Sequence, residues 1–248
     1  MRIPTIRGLI DRRVLINFRV DAEVLSKLCP SPFRPQLING VGMAGICLIR
    51  LKHIRPKFLP TFLGISSENA AHRIAVQWDT NTGVQSGVYV IRRDSSSILN
   101  SLAGGRLFPG IHNRASFRVR ETEQEYDIAM DSVDGSVHVS VDGRVSNSLP
   151  VNSIFPTLAK CSHFFQEGAV GYSPAKSDGI FDALELRAYN WNVQPLNVTD
   201  VRSSFFDDRE IFPEGSLTFD NALLMRGIEH EWLSRDSLSR EHTCCTIG

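Results

Sequence analysis

Short stretches in which every second residue is apolar recur along most of this chain. The first extends from Arg13 to Val20, with apolar residues at every second position from Val14 onward. A period of two indicates β-strands that bury one face. The same criterion, with a run rich in apolar and β-branched residues, predicts further strands at 43–54, 73–78, 87–91, 115–120, 183–191, 194–206 and 216–219.

Turn sequences join several of these strands into antiparallel pairs. The cluster at 79–83 lies between two predicted strands and indicates a β-hairpin. Between residues 126 and 145, Asp-Gly pairs at 134–135 and 142–143 separate alternating segments. Such pairs favour tight hairpin turns, so this region is predicted to form an antiparallel meander. Asn39-Gly40 predicts another turn.

Helices are predicted where a capping residue precedes a helical apolar pattern and glycine or proline follows. Segments 22–28, 96–103 and 154–166 meet this description, and 225–233 also has a helical pattern. Asp94 and Ser95 are the expected cap of the second helix, and Asn152 and Ser153 that of the third.

Many short strands without a β-α-β rhythm predict an α+β fold, mostly antiparallel β, arranged as a barrel or curved sheet. Residues 1–230 are expected to form a single domain, with 231–248 as a flexible tail.

Composition removes several classes of function. The 248 residues include 27 basic and 27 acidic side chains, and this balance argues against a general nucleic-acid binder. No apolar run is long enough for a membrane-spanning helix, and the N-terminus lacks a secretory signal, so a cytoplasmic location is expected. Five irregularly spaced cysteines indicate free thiols, with Cys29, Cys47 and Cys161 as small core residues. No metal site and no cofactor are predicted.

Polar side chains concentrate between residues 68 and 114. This stretch contains Glu68, Asn69, His72, Arg73, Arg92, Arg93, Asp94, Arg106, His112, Asn113 and Arg114. Neighbouring strand residues face opposite sides, so Arg92 and Arg93 cannot both point inward. The arginines could coat strand exteriors, and each histidine could be a hydrogen-bonded structural residue. Convergence inside one barrel would instead create an anion site, because guanidinium groups pair bidentately with carboxylates.

Three segments within and beside this stretch occur in an order that resembles a known family. They are 71–76 (AHRIAV), 87–94 (GVYVIRRD) and 105–112 (GRLFPGIH), and they follow a strand-helix-proline segment at 15–32. Together they resemble the YqjF-like family of the acetoacetate decarboxylase-like superfamily, over residues 10–230. The resemblance implies an acetoacetate decarboxylase-like closed β-barrel with a few short outer helices and a small polar cavity inside.

The resemblance also bears on chemistry. Acetoacetate decarboxylase uses a lysine that forms a Schiff base with the substrate ketone, next to a second lysine that lowers its pKa. His112 and Asn113 stand at the corresponding positions, and neither can form an iminium. The five lysines, none of them in this motif, are Lys27, Lys52, Lys57, Lys160 and Lys176. Classical decarboxylation is therefore not expected. The acidic cavity residue of the decarboxylase corresponds to Glu68 or Asn69.

The resulting hypothesis is an internal polar cavity that binds a small carboxylate or oxo-compound without a Schiff-base lysine. Arg73 or Arg106 would hold the anion, and His112 would be a general acid or base. The other predicted ligand-binding residues are Glu68, His72 and Asn113. An enzyme of this kind would have lysine-independent lyase or hydratase chemistry. The alternative is a non-catalytic structural or interaction protein with a vestigial cavity. A homo-oligomer stays open, and neither nucleic acid nor membrane is an expected partner.

Overall fold

The computed structural model describes residues 4–97 and 110–240, in which thirteen strands form one sheet and two helices pack against it. Within these ranges no helix has the length and apolarity needed to cross a membrane. The helices are α1 (Ala22–Leu28) and α2 (Leu158–Glu167). The strands are β1 (Ile6–Asp21), β2 (Arg34–Pro35), β3 (Leu37–Ile38), β4 (Val41–Pro56), β5 (Ile65–Thr80), β6 (Gly83–Ser95), β7 (His112–Glu121), β8 (Glu125–Ser132), β9 (His138–Val145), β10 (Val170–Pro174), β11 (Ile180–Ala188), β12 (Gln194–Ser203) and β13 (Leu217–Ser239).

The hydrogen-bonded strands close into two rings that share a wall of five long strands. The shared wall runs β13-β1-β4-β5-β6. The first ring is completed by β7, β8, β9 and β12, and the second by β10 and β11. Among the described strand pairs, only β6–β7 and β6–β10 are parallel. The fold is therefore mostly antiparallel β, as the sequence predicts.

Each face of the shared wall packs in a different hydrophobic cluster. Val14 and Ile16 of β1 pack with Ile128 of β8, inside the first ring. The intervening Leu15 packs with Cys47 of β4 and Phe165 of α2, on the opposite face. This separation follows from strand geometry, because successive side chains point to opposite sides. The second face, which points into the second ring, carries the site described below.

Several local predictions are confirmed. Helix α1 has the predicted bounds, and β5 and β6 form the hairpin expected around 79–83. The turn at 134–135 is present, with Gly135 at a φ of 70°. Asn39 and Gly40 likewise have positive φ values, of 49° and 85°, at the tight turn between β3 and β4.

The segment 225–233 is a strand and not a helix. It lies within β13, which pairs with β1 on one side and with β11 on the other. Gly227 has a φ of 63°, which an α-helix does not allow. Pairing with two strands distant in sequence overrides the local helical pattern. Because β13 continues to Ser239, residues 231–239 belong to the sheet and not to a flexible tail.

Two further predictions need correction. Asp142 and Gly143 lie inside β9, because β8 and β12 pair with the strand on its two sides. Helix α2 begins at Leu158, later than predicted, because Thr157 is its cap: the Thr157 hydroxyl accepts from the Lys160 amide, whereas the Ser153 hydroxyl donates to Asp220 on β13.

The predicted helix at 96–103 falls largely outside the described residues. Its expected cap residues, Asp94 and Ser95, form the end of β6.

Candidate functional site

A cavity of about 140 Å3 lies on the face of the shared wall that points into the second ring. A cavity of about 150 Å3 accommodates a benzene molecule, so this volume suits a compound of similar size. Its walls are mostly apolar, with side chains from the shared strands, α2 and β11. The apolar lining residues are Ile49, Leu51, Ala71, Val88, Val90, Phe165, Leu184, Leu186, Trp191 and Trp232. We call it the arginine cavity, after Arg13, Arg73 and Arg93, which also line it.

Arg73 of β5 is a buried cation in this wall, with 4% of its surface exposed. Its Nη2 donates to the Asn17 side-chain oxygen at 2.5 Å, and its guanidinium carbon lies 5.1 Å from the centre of the Phe165 ring. No described residue accepts a hydrogen bond from its Nε. Burial lowers the pKa of Arg73 to about 10, so it stays protonated at neutral pH.

Arg93 and Arg13 add two further cations. The Arg93 Nε donates to the Ser173 hydroxyl at 3.0 Å, and burial lowers the pKa of Arg93 to about 10. The Arg13 Nε donates to the Cys47 sulfur at 3.3 Å, and its guanidinium carbon lies 5.9 Å from the centre of the Trp191 ring. Across the described ranges, no carboxylate forms an ion pair with any of the three arginines. The result is a concentration of positive charge in a mostly apolar cavity, without a carboxylate partner among the described residues.

Asp94 is the one acidic residue among the described residues that line the cavity, and its carboxylate pairs with Arg92, which alternation places on the face opposite Arg93. Arg92 donates to this carboxylate from Nε and Nη2, at 2.9–3.0 Å. Burial raises the pKa of Asp94, and the Arg92 charge opposes that rise. Because Arg92 balances the charge of Asp94, no carboxylate in the described part of the chain remains as a counter-ion for the three cavity arginines.

A chain of buried amides connects Arg73 to the segment that precedes α2. Asn17 accepts from Arg73 and donates to Asn221 at 2.9 Å, and Asn221 donates to Asp220 at 2.5 Å. The fully buried Asp220 carboxylate also accepts from the Ser153 hydroxyl and the Ile154 amide, each at 2.8 Å. This network holds Arg73 in one orientation and fixes the start of the segment that leads to Phe165.

The structure brings two of the sequence-predicted residues to the arginine cavity. Arg73 lies in its wall, and His112 lies at the start of β7, where it is in register with Arg93. Asn69, the alternative to Glu68 as the counterpart of the family's acidic residue, also lines the cavity. Arg106 lies outside the described residues.

Three other predicted residues do not line the cavity. Glu68 faces the opposite side, where its carboxylate pairs with Arg12 at 2.6 Å and with Arg50 at 2.5 Å. His72 is buried beside the rings of Phe205 and Phe206, because it precedes Arg73 in the strand and points to the other face.

The Asn113 side chain donates to the backbone oxygen of Arg93 at 3.1 Å and links β7 to β6.

Sequence reasoning missed several residues of this site. Alternation excludes that Arg92 and Arg93 share a face, and Arg93 is the one that lines the cavity. Arg13 was part of a predicted strand without a predicted role, and Cys47 was expected as a core residue. The available signal was a charged residue inside an apolar strand. This signal identifies a cavity residue only when the register of β1 against β4 and of β4 against β5 is known.

In its described part, the cavity has no lysine for a Schiff base and no cluster of side chains suited to a metal ion. None of the five lysines lines the cavity as far as the structure describes it. No cluster of three or more His, Cys, Asp or Glu side chains suited to a metal ion occurs in residues 4–97 and 110–240.

Comparison with known sequences gives one family. The sequence model of DUF2071, described as "Uncharacterized conserved protein (COG2071)", matches residues 10–222. No curated protein matches the chain significantly.

Solved structures with the same fold are acetoacetate decarboxylase-like. Acetoacetate decarboxylase from Legionella pneumophila superposes with a TM-score of 0.61 at 10% identity, over 95% of this chain and 88% of that one. The enduracididine biosynthesis enzyme MppR, complexed with pyruvate, gives 0.60 at 7% identity, over 97% and 91%. An acetoacetate decarboxylase-like enzyme from Sphingomonas wittichii RW1 gives 0.55 at 12% identity, over 94% of each chain. At these identities the likeness concerns the fold.

Proposed function

Since the chain belongs to the DUF2071 family and has the acetoacetate decarboxylase-like fold, we propose that its arginine cavity binds a small carboxylate or oxo acid. The observation that carries this proposal is the set of three arginines that face one enclosed space without a carboxylate partner among the described residues. A buried charge destabilises a protein unless it is paired. A bound carboxylate would supply the missing charge and would accept hydrogen bonds from guanidinium groups.

The size and lining of the cavity restrict the ligand further. About 140 Å3 excludes a nucleotide or a sugar phosphate, and the apolar walls favour a short carbon skeleton beside the anionic group. The fold relative MppR complexed with pyruvate supports an oxo acid of this size as the first candidate. In this proposal Arg73, Arg93 and Arg13 hold the anion, and Arg106 stays a predicted contributor.

Any chemistry in the cavity would be independent of lysine. His112 is the proposed general acid or base because it combines a titratable ring with a position on the cavity wall. Lyase or hydratase chemistry on an oxo acid needs such a group to move a proton at the carbon next to the carbonyl. Borohydride reduction in the presence of acetoacetate is expected to leave all five lysines unmodified by mass spectrometry. A reduced adduct on any lysine would contradict this part of the proposal.

The direct test is ligand-induced stabilisation of the folded protein. Pyruvate and acetate are expected to raise the unfolding temperature with saturable concentration dependence, whereas acetone, which lacks the charge, is not. Arg93→Gln should weaken the effect of pyruvate. The exposed Arg34, which pairs with Asp79 at 2.8 Å, provides a matched Arg34→Gln control that should leave the effect unchanged. Equal responses in both variants, or no response in the wild type, would instead support a protein with a vestigial cavity.

The role of His112 has a separate test. A carboxylate bound next to a histidine ring raises the pKa of the ring. Binding therefore takes up protons at pH values between the pKa of the free protein and that of the complex. Calorimetry of pyruvate binding in two buffers of different ionisation enthalpy would measure this uptake. It should disappear in His112→Asn while pyruvate still binds. Unchanged proton uptake in the variant would exclude His112 as the titrating group.

A further inference from the structure

The arginine cavity contains one potential nucleophile that the proposed binding function does not use. Cys47 lies in the middle of β4, opposite Leu15 of β1 and Ala71 of β5. Its side chain belongs to the cavity wall, although only 7% of the residue is exposed to solvent. A ligand that fills the cavity would therefore contact the sulfur.

Cationic side chains lie close to the sulfur of Cys47. The Arg13 Nε donates a hydrogen bond to the sulfur at 3.3 Å. The charges of Arg73 and Arg93 also interact with Cys47, because its sulfur offsets part of the fall in the pKa of both arginines. Cationic donors around a partly enclosed sulfur are typical of cysteines that act as nucleophiles.

A second observation points independently to a ligand beside this sulfur. Arg73 is 4% exposed and lines the same cavity, and its buried Nε has no acceptor among the described residues. An anionic group in the cavity would supply that acceptor. The sulfur and the unsatisfied guanidinium therefore face the same small volume.

Of the described cysteines, only Cys47 accepts a hydrogen bond from an arginine and lines the cavity, although the charge of Arg73 also acts on Cys161. Burial raises the pKa of both Cys29 and Cys161 to about 12, so both remain thiols at neutral pH. Cys161 donates its S–H to the Asn221 side-chain oxygen at 3.6 Å and belongs to the buried amide network. Neither residue lines the cavity. They serve as internal controls for the reactivity of Cys47.

We propose that Cys47 adds reversibly to the carbonyl carbon of a small oxo acid held by the cavity arginines. In this step a bond forms between sulfur and carbon, the π bond of the carbonyl breaks, and the thiol proton moves to the carbonyl oxygen. The product is a hemithioketal, and no oxidant or reductant is required. This inference rests on the proposed function and adds a covalent role for sulfur in a cavity where no lysine is described.

The first experiment compares a charged with a neutral alkylating reagent on the intact full-length protein. Iodoacetate and iodoacetamide attack the same sulfur, but only iodoacetate carries a carboxylate. Peptide mass spectrometry should show that Cys47 reacts about tenfold faster with iodoacetate, because the positive cavity concentrates anions. Cys29 should show no such preference. Pyruvate should protect Cys47, and Arg13→Gln should reduce its preference for iodoacetate. Equal or slower reaction of Cys47 with iodoacetate would overturn the proposal.

The second experiment detects the covalent step itself. Pyruvate labelled with 13C at its carbonyl carbon is added to the wild-type protein, and the bound carbon is observed by NMR. Besides the signals of free pyruvate and its hydrate, a resonance of a carbon bonded to both sulfur and oxygen is expected in the wild type, and it should be absent in Cys47→Ser and Cys47→Ala. Circular dichroism checks whether each variant is folded, and Cys47→Ala is used if Cys47→Ser does not fold.

The outcomes separate this inference from the function on which it rests. If pyruvate raises the unfolding temperature but its bound carbon remains a ketone, the binding function stands and the role of Cys47 is wrong. The same conclusion follows if the resonance assigned to the sulfur-bonded carbon is still present in Cys47→Ala. If pyruvate neither stabilises the protein nor protects Cys47, the proposed function fails and this inference fails with it.

Discussion

Replacement of Arg73 by methionine should stabilise the protein and at the same time abolish anion binding. Methionine has a similar length and fits an apolar wall without a charge. Arg73 is 4% exposed and has no carboxylate partner among the described residues, so its charge is a cost in the ligand-free protein. A residue with a purely structural role would show the opposite result, because its loss would lower stability.

The expected change in the free energy of unfolding follows from the pKa of Arg73. Burial lowers this pKa from 12.5 to about 10, which corresponds to about 3 kcal/mol of free energy. Because the pKa is lower in the folded than in the unfolded chain, the protonated side chain destabilises the fold fully below pH 10. The lost hydrogen bond to Asn17 offsets about 2 kcal/mol of the gain. Arg73→Met should therefore raise the free energy of unfolding by about 1 kcal/mol at pH 7.

The assay is urea unfolding at pH 7, with and without pyruvate. Arg12 is the matched control, because it is 2% exposed on the opposite face and pairs with Glu68 and Glu121 at 2.6 and 2.7 Å. Arg12→Met should lower the free energy of unfolding by about 3–5 kcal/mol, because it leaves two carboxylates short of a partner. Pyruvate should stabilise the wild type and the Arg12 variant but not Arg73→Met. A loss of 2 kcal/mol or more in Arg73→Met would refute this reasoning.

Three further perturbations test the fold and the network. Burial lowers the pKa of His72 to about 4, so the unfolded chain binds the extra proton between pH 6.5 and 4 and stability falls as pH falls through that window. His72→Phe should flatten this decline in urea unfolding, by about 3 kcal/mol at pH 4, and leave pyruvate binding unchanged. Gly135→Val should cost about 1–2 kcal/mol in the same assay, because φ is 70° although the space is open. Asp220→Asn should cost about 2 kcal/mol, because its amide nitrogen replaces one of the two oxygens that accept from Ser153 and Ile154 and the ion pair with Arg19 is lost, and calorimetry should record weaker pyruvate binding.

The parts of the fold that could be predicted depend on signals close together in sequence. The hairpin at 79–83 and the turn at 134–135 need only turn residues between alternating strands, and α1 needs only a cap and a short apolar pattern. The helix prediction for 225–233 was wrong because this segment forms a strand by pairing with β1 and β11, which are far away along the chain. The turn prediction for 142–143 was wrong for the same reason, because pairing with β12 keeps these residues in the sheet.

For the candidate site too, local patterns could be predicted from the sequence and contacts between distant strands could not. Alternation alone separates Arg92 from Arg93 and His72 from Arg73, but it does not state which member of each pair faces a cavity. That choice depends on how distant strands align. Leu15 lies opposite Cys47 in the β1–β4 pair, and Gly45 lies opposite Arg73 in the β4–β5 pair. The approach of Arg13 to Cys47 results from these registers and leaves no mark in any local stretch of sequence.

The arginines on the two faces of the shared wall differ in their partners, and this contrast favours the proposed binding function over a vestigial cavity. On one face Arg12 and Arg50 are held by the carboxylates of Glu68 and Glu121, as expected where charge has a structural role. On the other face Arg13, Arg73 and Arg93 surround an apolar space without such partners in the described part of the chain. Without a ligand, the protein would gain stability from an apolar replacement of the buried Arg73. Under the proposed function, an anion from solution would supply the negative charge that the three cations lack among the described residues.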